Sequence, residues 1–265
     1  MVLSSARVTT SMSDNEYLKA LLLVGGLGKR LRPVVSSVPK PLAQVGDNSF
    51  LDLLVEQLRR QGIRNIVMCT GYLGEQIESE FGNGESRDVS IEYSRELTPM
   101  GTGGAVKLAE AFLEGAKEFL VMNGDSFIEV EFNRLIQFHR SHGGIATLAV
   151  SRVEDSARFG TVHSDERGRV LGFVEKTGQT TPGVINAGVY VFNRALMRYI
   201  PEGQSSLERE VFPRVLENGV YALEQPGMFI DIGTPEDYAL ARKQSELLKE
   251  SAATTSGRLL RENQC

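Results

Sequence analysis

Residues 25–41 read GGLGKRLRPVVSSVPKP, directly behind the short apolar run at 21–24. An apolar run that stops on two glycines is a buried strand entering a loop. Gly25, Gly26 and Gly28 leave backbone amides bare and permit positive φ. Such amides can line an anionic phosphate chain. Arg30, Arg32 and Lys40 add fixed positive charge, and Arg30 can meet phosphate oxygens in bidentate fashion. Two common phosphate loops are excluded. A Walker loop needs Gly-Lys-Ser/Thr with another glycine five residues before, but here Gly28-Lys29 precedes Arg30 and the earlier position is Leu23. The dinucleotide fingerprint needs a third glycine where this chain has Leu31, and Pro33 stops a helix from opening directly behind it.

Outward from this loop, strand and helix signals alternate. Phe50, Leu51, Leu54, Val55 and Leu58 recur at helical spacing. Strands are expected at 65–70, 89–93, 119–122 and 145–151, with helices at 75–81, 102–114 and 131–141. That alternation predicts an α/β fold, a mainly parallel mixed sheet with helices on both faces. After Ser151 strands follow closely at 160–164, 169–175 and 184–192, and helices return at 206–218 and 236–248. No linker separates the halves. The expectation is one domain over 18–249 with a strand-rich insert, between flexible tails at 1–17 and 250–265.

Bulk properties narrow the classes. The 265 residues are 41% hydrophobic and carry a formal net charge of -5, which gives nucleic-acid binding no help. Cys69 lies in an apolar run and Cys265 ends the chain; so placed, they predict reduced thiols and a cytoplasmic protein. No apolar run nears the roughly 18 residues that span a bilayer, so no membrane partner is expected. His139, His142 and His163 have no Cys or His cluster around them and read as surface residues rather than a zinc site.

The loop resembles the signature of sugar-1-phosphate nucleotidylyltransferases, close to GGxGTRLxPxT…PKP, over a match running from residue 19 to about 245. This chain departs at Lys29, where threonine is usual, and at Val35-Ser36. PVVSSVPKP resembles a narrower group, the D-glycero-α-D-manno-heptose 1-phosphate guanylyltransferases. The resemblance implies a Rossmann-like (GT-A-type) single domain whose strand-rich insert binds sugar. It implies transfer of a nucleoside monophosphate from an NTP to a sugar 1-phosphate, with Mg²⁺ as cofactor, and leaves a homo-oligomer open.

Four further stretches fit one site, although each alone also fits a plain structural role. Residues 93–105, YSRELTPMGTGGA, resemble the family's base-recognition loop, in which Gly101, Thr102, Gly103 and Gly104 bring backbone close to a flat base. Glu96 could accept from the N1–H and N2–H₂ edge of guanine, where uracil offers only N3–H; this favours GTP. Asp125 follows a buried strand, where open α/β sheets place ligand groups, and the resemblance makes it a magnesium ligand. By the same resemblance Gly160, Glu175, Lys176 and Asn186 form the sugar site, with Lys176 on the sugar phosphate and Gly188 leaving room. Asp231 becomes the second metal ligand, just before Thr234-Pro235, a good helix start. In this scheme Arg30, Lys40 and Lys176 neutralise charge while the sugar phosphate attacks the α-phosphorus and pyrophosphate leaves.

The alternatives are a mannose- or glucose-type 1-phosphate nucleotidylyltransferase and a non-catalytic sugar-nucleotide sensor. A glycosyltransferase would want a DxD-like pair, and Asp125-Ser126-Phe127 lacks the second aspartate.

Overall fold

A computed structural model describes residues 18–174, 178 and 180–254. Along the chain, β1 (Lys19–Leu23) leads through the glycine loop to the small hairpin β2 (Gln44–Val45) and β3 (Asn48–Ser49). Then come α1 (Phe50–Arg60), β4 (Asn65–Thr70), α2 (Gly74–Phe81), β5 (Ser90–Arg95), α3 (Gly101–Leu108), β6 (Glu118–Asn123), β7 (Ser126–Ile128) and α4 (Phe132–His142). Four strands follow with one tight turn behind them: β8 (Ala146–Val153), β9 (Thr161–Ser164), β10 (Val170–Val174), β11 (Gly183–Asn193) and the single turn α5 (Phe212–Arg214). The chain closes through β12 (Val220–Glu224), β13 (Phe229–Asp231), α6 (Pro235–Lys243) and α7 (Ser245–Ala253).

The main sheet has nine strands, with the path β10-β9-β11-β6-β1-β4-β5 and with β8 and β12 joined beyond β11. The half carrying the glycine loop is parallel: β1 pairs with β4 and β6, and β4 with β5. The insert is mostly antiparallel, through β11 on β6, β8 and β9. This is the expected mainly parallel mixed sheet.

Strand periodicity divides the core in two, because successive side chains leave opposite faces of a sheet. Ala20, Leu22, Ile66, Met68, Leu120 and Met122 pack on one face with α1, α2, α4 and α7. Leu21, Val67, Cys69 and Val121 pack on the other with α3 and the 207–216 segment. Helix α1 starts cleanly because Ser49 and Asp52 form a reciprocal capping box. It also holds β7 in place: the buried Gln57 donates to the Ile128 carbonyl at 2.8 Å.

The structure departs from the sequence reading in several places. The expected helix at 206–218 is broken into a π turn at Leu207–Val211, α5, and a 3-10 turn at Leu216–Asn218. Pro213, which lacks an N–H, sits inside that break. The 3-10 segment Ala109–Leu113 finishes what was read as one helix over 102–114. Helix 236–248 is two helices meeting at Gln244. The second runs to Ala253 with Ala252 buried, four residues past the expected domain edge at 249. Finally, His139 is not a surface residue. It is buried, its Nδ1 lies 2.9 Å from Thr147 Oγ1, and burial holds its pKa below the usual value. The proposed tail at 1–17 lies outside the described residues.

Candidate active site

Strands β4 and β6 flank β1 on opposite sides, so the chain leaves the carboxyl ends of β1 and β6 in diverging directions. Open α/β sheets form their ligand crevice at such a point. Here it is a cleft of about 430 Å³, bounded by the glycine loop, residues 96–105 and the stretch 123–125. That volume suits a small ligand.

The glycine loop is one wall. Gly28 takes φ +58°, a conformation that disfavours a side chain, and a Cβ there would lie 3.2 Å from Cβ of Lys40. The loop therefore folds directly over Lys40. Lys40 Nζ lies 2.8 Å from Asp125 Oδ2, with the lysine side chain 9% exposed and the aspartate 43%. Gly26 and Lys29 are exposed, and Lys29 lines the cleft. Arg32 does not join the cleft; its guanidinium stacks 4.5 Å from the centre of the Tyr72 ring.

Asp125 and Asp231, far apart in sequence, are joined by backbone pairing. Strand β13 pairs with β7, setting Asp231 opposite Ser126, and the Ile232 N–H donates to the Asp125 carbonyl at 2.9 Å. Asp231 Oδ1 accepts the Gly233 N–H at 2.7 Å. Arg30 reaches the same corner, since a Cβ on Gly233 would lie 3.2 Å from Arg30 Nη2. Burial, and then the charge of Asp125, raise the Asp231 pKa above the usual carboxylate value, while Lys40 pulls it back.

This corner fits a magnesium ion. Among the described residues no group of three or more His, Cys, Asp and Glu forms a closed cage. Mg²⁺ does not need one, because it is commonly held by one or two carboxylates plus phosphates and waters. Two carboxylates brought together by the β7–β13 pairing, one of them with its pKa raised by burial and then by the other's charge, leave negative charge for a cation to offset beside Lys40 and Arg30.

Residues 93–105 form the opposite wall, but not as the sequence suggested. Gly101, Gly103 and Gly104 are needed because neighbouring backbone comes close: a Cβ on any of them would strike Ser205 or Gly203. The Gly103 N–H donates to the Ser205 carbonyl at 2.9 Å, and Gly103 does not line the cleft. Gly101 and Thr102 do. The Thr102 hydroxyl is already engaged, donating to Glu208 Oε2 at 2.8 Å and accepting from the Leu207 N–H at 2.9 Å. Glu96 bridges the two walls. Its Oε2 accepts the Met100 N–H at 2.9 Å, and Gly25 has no room for a Cβ because Glu96 Oε1 would lie 2.9 Å from it. Burial raises the Glu96 pKa.

On the sugar side, Glu175 and Lys176 lie outside the described residues. Gly160 is exposed just before β9, and among the described residues a Cβ on it would meet the Val174 carbonyl at 3.4 Å. Asn186 is occupied at both ends: its Nδ2 donates to the Tyr190 hydroxyl at 2.8 Å and its Oδ1 accepts the Gly188 N–H at 3.1 Å. Tyr190, fully buried, in turn donates to Glu208 Oε1 at 3.3 Å. Sequence reasoning missed Asn123, Tyr190 and Glu208. Asn123 comes directly after the strand expected at 119–122 and was given no role, and Glu208 fell in a stretch read as an ordinary helix. It also missed Arg158, which is paired with Asp237 at 2.7 Å, while Phe159 stacks edge-on against Phe229. These contacts clasp the insert onto the segment that carries Asp231.

Comparison with known proteins gives the family. The family model described as Nucleotidyl transferase matches residues 19–247. The chain belongs to that family. This nucleotidyl transferase is 38% identical over 223 residues to the mannose-1-phosphate guanylyltransferase catalytic subunit beta of Drosophila pseudoobscura pseudoobscura, covering 83% of this chain and 60% of that protein. The Danio rerio protein of the same name is 38% identical over 225 residues, covering 83% and 62%. The chain thus spans about three fifths of the length of these curated relatives. Among solved structures, HddC from Yersinia pseudotuberculosis complexed with GMP-PN superposes with TM-score 0.76 at 31% identity, covering 86% of this chain and 99% of that one. A Bacillus anthracis protein in complex with a sucrose, 23% identical with TM-score 0.78, shares the fold.

Proposed function

We propose that this nucleotidyl transferase moves a guanylyl group from GTP to a manno-configured sugar 1-phosphate, releasing pyrophosphate. The observation that carries the reading is the convergence of Arg30, Lys40, Asp125 and Asp231 at the carboxyl ends of β1 and β6, beside a glycine loop folded over Lys40. Two anionic substrates must meet in this reaction. A sugar 1-phosphate is already a nucleophile and needs no general base, so positioning and charge neutralisation carry the rate.

In this reading the amides at Gly25, Gly26 and Gly28 cradle the triphosphate. Arg30, exposed beside Gly233, meets the leaving pyrophosphate as its charge builds, and Lys40 screens the phosphates beside Asp125. Asp125 and Asp231 would hold Mg²⁺, which supplies further electrostatic stabilisation at the phosphates. Glu96, with Oε1 against Gly25, sits where it could accept from the guanine edge. Lys176 would hold the phosphate of the sugar.

Guanine is supported twice, by relatives named as guanylyltransferases and by a structural neighbour complexed with GMP-PN. Mannose is supported by the names of the curated relatives, and heptose by the motif PVVSSVPKP. Both sugars share the manno ring, so the two readings differ only beyond it. The test is pyrophosphate release with Mg²⁺ across four NTPs and a panel of mannose, glucose and manno-heptose 1-phosphates. GTP with a manno sugar should lead. A lead for UTP would overturn guanine, and silence throughout would favour a sensor without catalysis.

A further inference from the structure

One residue lining the cleft carries a buried polar atom with no partner among the described residues. Asn123 closes β6, lines the cleft, and its Oδ1 is buried with no hydrogen-bond partner among the described residues. A buried carbonyl oxygen left unpaired is destabilising, so a native site that keeps one calls for an explanation.

The orientation of this amide is fixed by its surroundings. Asn123 Nδ2 sits against Gly188, whose φ of +78° bares the backbone at that point; a Cβ there would lie 2.8 Å from the nitrogen. The same amide makes a polar contact with the Tyr190 hydroxyl as a donor. That hydroxyl accepts from Asn186 Nδ2 and gives its single proton to Glu208. Turning Asn123 over would set its oxygen against a hydroxyl with no proton left to donate. The nitrogen therefore faces Tyr190, and the oxygen is the free end.

The location indicates what it binds. Asn123 is two residues from Asp125 and beside the Asn186–Gly188 bulge of β11, on the opposite side of β6 from the base wall. Asn186, assigned to the sugar from sequence, has both ends of its amide in use within the protein. Phosphate oxygens at neutral pH are acceptors and gain nothing from another acceptor. Sugar hydroxyls are donors.

We infer that Asn123 Oδ1 accepts a hydrogen bond from one ring hydroxyl of the sugar 1-phosphate, making Asn123 a specificity-determining residue, with Asn186, Tyr190 and Glu208 as its positioning scaffold. The inference rests on the nucleotidylyl-transfer reading and adds a sugar contact to it. A buried acceptor left unpaired by a substrate that lacks the matching hydroxyl strongly discriminates against that substrate.

The experiment measures kcat/KM for a series of monodeoxy sugar 1-phosphates, at saturating GTP, with wild-type enzyme and Asn123→Leu. In wild type one deoxy position should lose about a hundredfold, and in Asn123→Leu that same position should cost less than about threefold while the other positions keep their penalties. KM for GTP should stay within about twofold. Equal deoxy penalties in both proteins, or a raised KM for GTP with sugar KM unchanged, would overturn the assignment. Should Asn123→Leu fail to fold, Asn123→Ala and Asn123→Ser carry the same comparison. Turnover by wild type with no penalty that depends on residue 123 defeats this inference alone. Absence of turnover with every sugar and nucleotide defeats the nucleotidylyl reading and this inference with it.

Discussion

The two sides of the cleft are built on opposite principles. On the phosphate side, charges are left out of balance: Asp231 is pressed toward protonation by burial and by Asp125, while Lys40 pairs with Asp125 and pulls against that shift. On the sugar side a chain of side-chain hydrogen bonds runs from Asn186 through Tyr190 and Glu208 to Thr102 and Ser206, and Asn123 Oδ1 beside it is unpaired among the described residues. The imbalance is what a cation entering with a polyanionic substrate would relieve. The satisfied network gives the shape into which they fit. Substitutions on the first side should therefore damage rate more than stability, and those on the second stability as well as rate.

The largest effect expected is from Asp125→Ala or Arg30→Ala, a loss of about a hundredfold or more in kcat with the thermal transition little changed. Steady-state kinetics beside a melting curve check it, and near wild-type kcat in either variant would remove that residue from the machinery. Next comes Glu208→Ala. It strips the acceptor from the fully buried Tyr190 hydroxyl and from Thr102 and Ser206, and should cost about 1–3 kcal/mol in denaturant unfolding. An unchanged unfolding midpoint would mean that the network is not the scaffold described.

Asp231→Asn should do the reverse and stabilise. The folded state holds the Asp231 pKa above 3.8, so as pH rises past that value the unfolded chain loses its proton first and stability falls. Removing the charge should recover about 1 kcal/mol near neutral pH, or roughly 2–4 °C in Tm, and nothing at pH well below 3.8. Activity should fall in the same variant. In wild type the acid limb of kcat/KM should lie above the ordinary carboxylate range, because the ionised form is the one that binds a cation. The smallest effect is from Glu96→Gln, a narrowing of the preference for GTP over UTP by around tenfold with kcat for GTP little altered. If base preference is unchanged, Glu96 serves only to tie the two walls together.

Much of the fold was legible because the strands that matter are short apolar runs stopped by glycine or Asn-Gly, as at 21–24, 65–70 and 119–122. Pattern fails where a tertiary partner decides. The 206–218 stretch has helical spacing, yet Pro213 and the clasp of Glu208 onto Thr102 break it. Strand β12 was not foreseen, because it is held by parallel pairing with β8 rather than by a local signal. The site divides in the same way. Asp125, Arg30 and Lys40 were drawn together from their places behind a buried strand and along the glycine loop, and the structure sets them in one corner. Gly101, Gly103 and Gly104 were found for the wrong physical reason, since the close neighbour is the 203–205 backbone. Asn123 and Glu208 carry no local signal at all: one is distinguished by a missing partner and the other by three gathered ones, and both properties exist only in three dimensions.

The central claim is that the α-phosphorus of the nucleotide is what moves. GTP labelled at the α-phosphorus and GTP labelled at the γ-phosphorus, each incubated with Mg²⁺ and mannose 1-phosphate or manno-heptose 1-phosphate, test it directly by product separation. The account predicts that α-label appears in a sugar nucleotide and γ-label in pyrophosphate. Label from the γ position in free phosphate or on the sugar, with none from the α position in a sugar nucleotide, would contradict it.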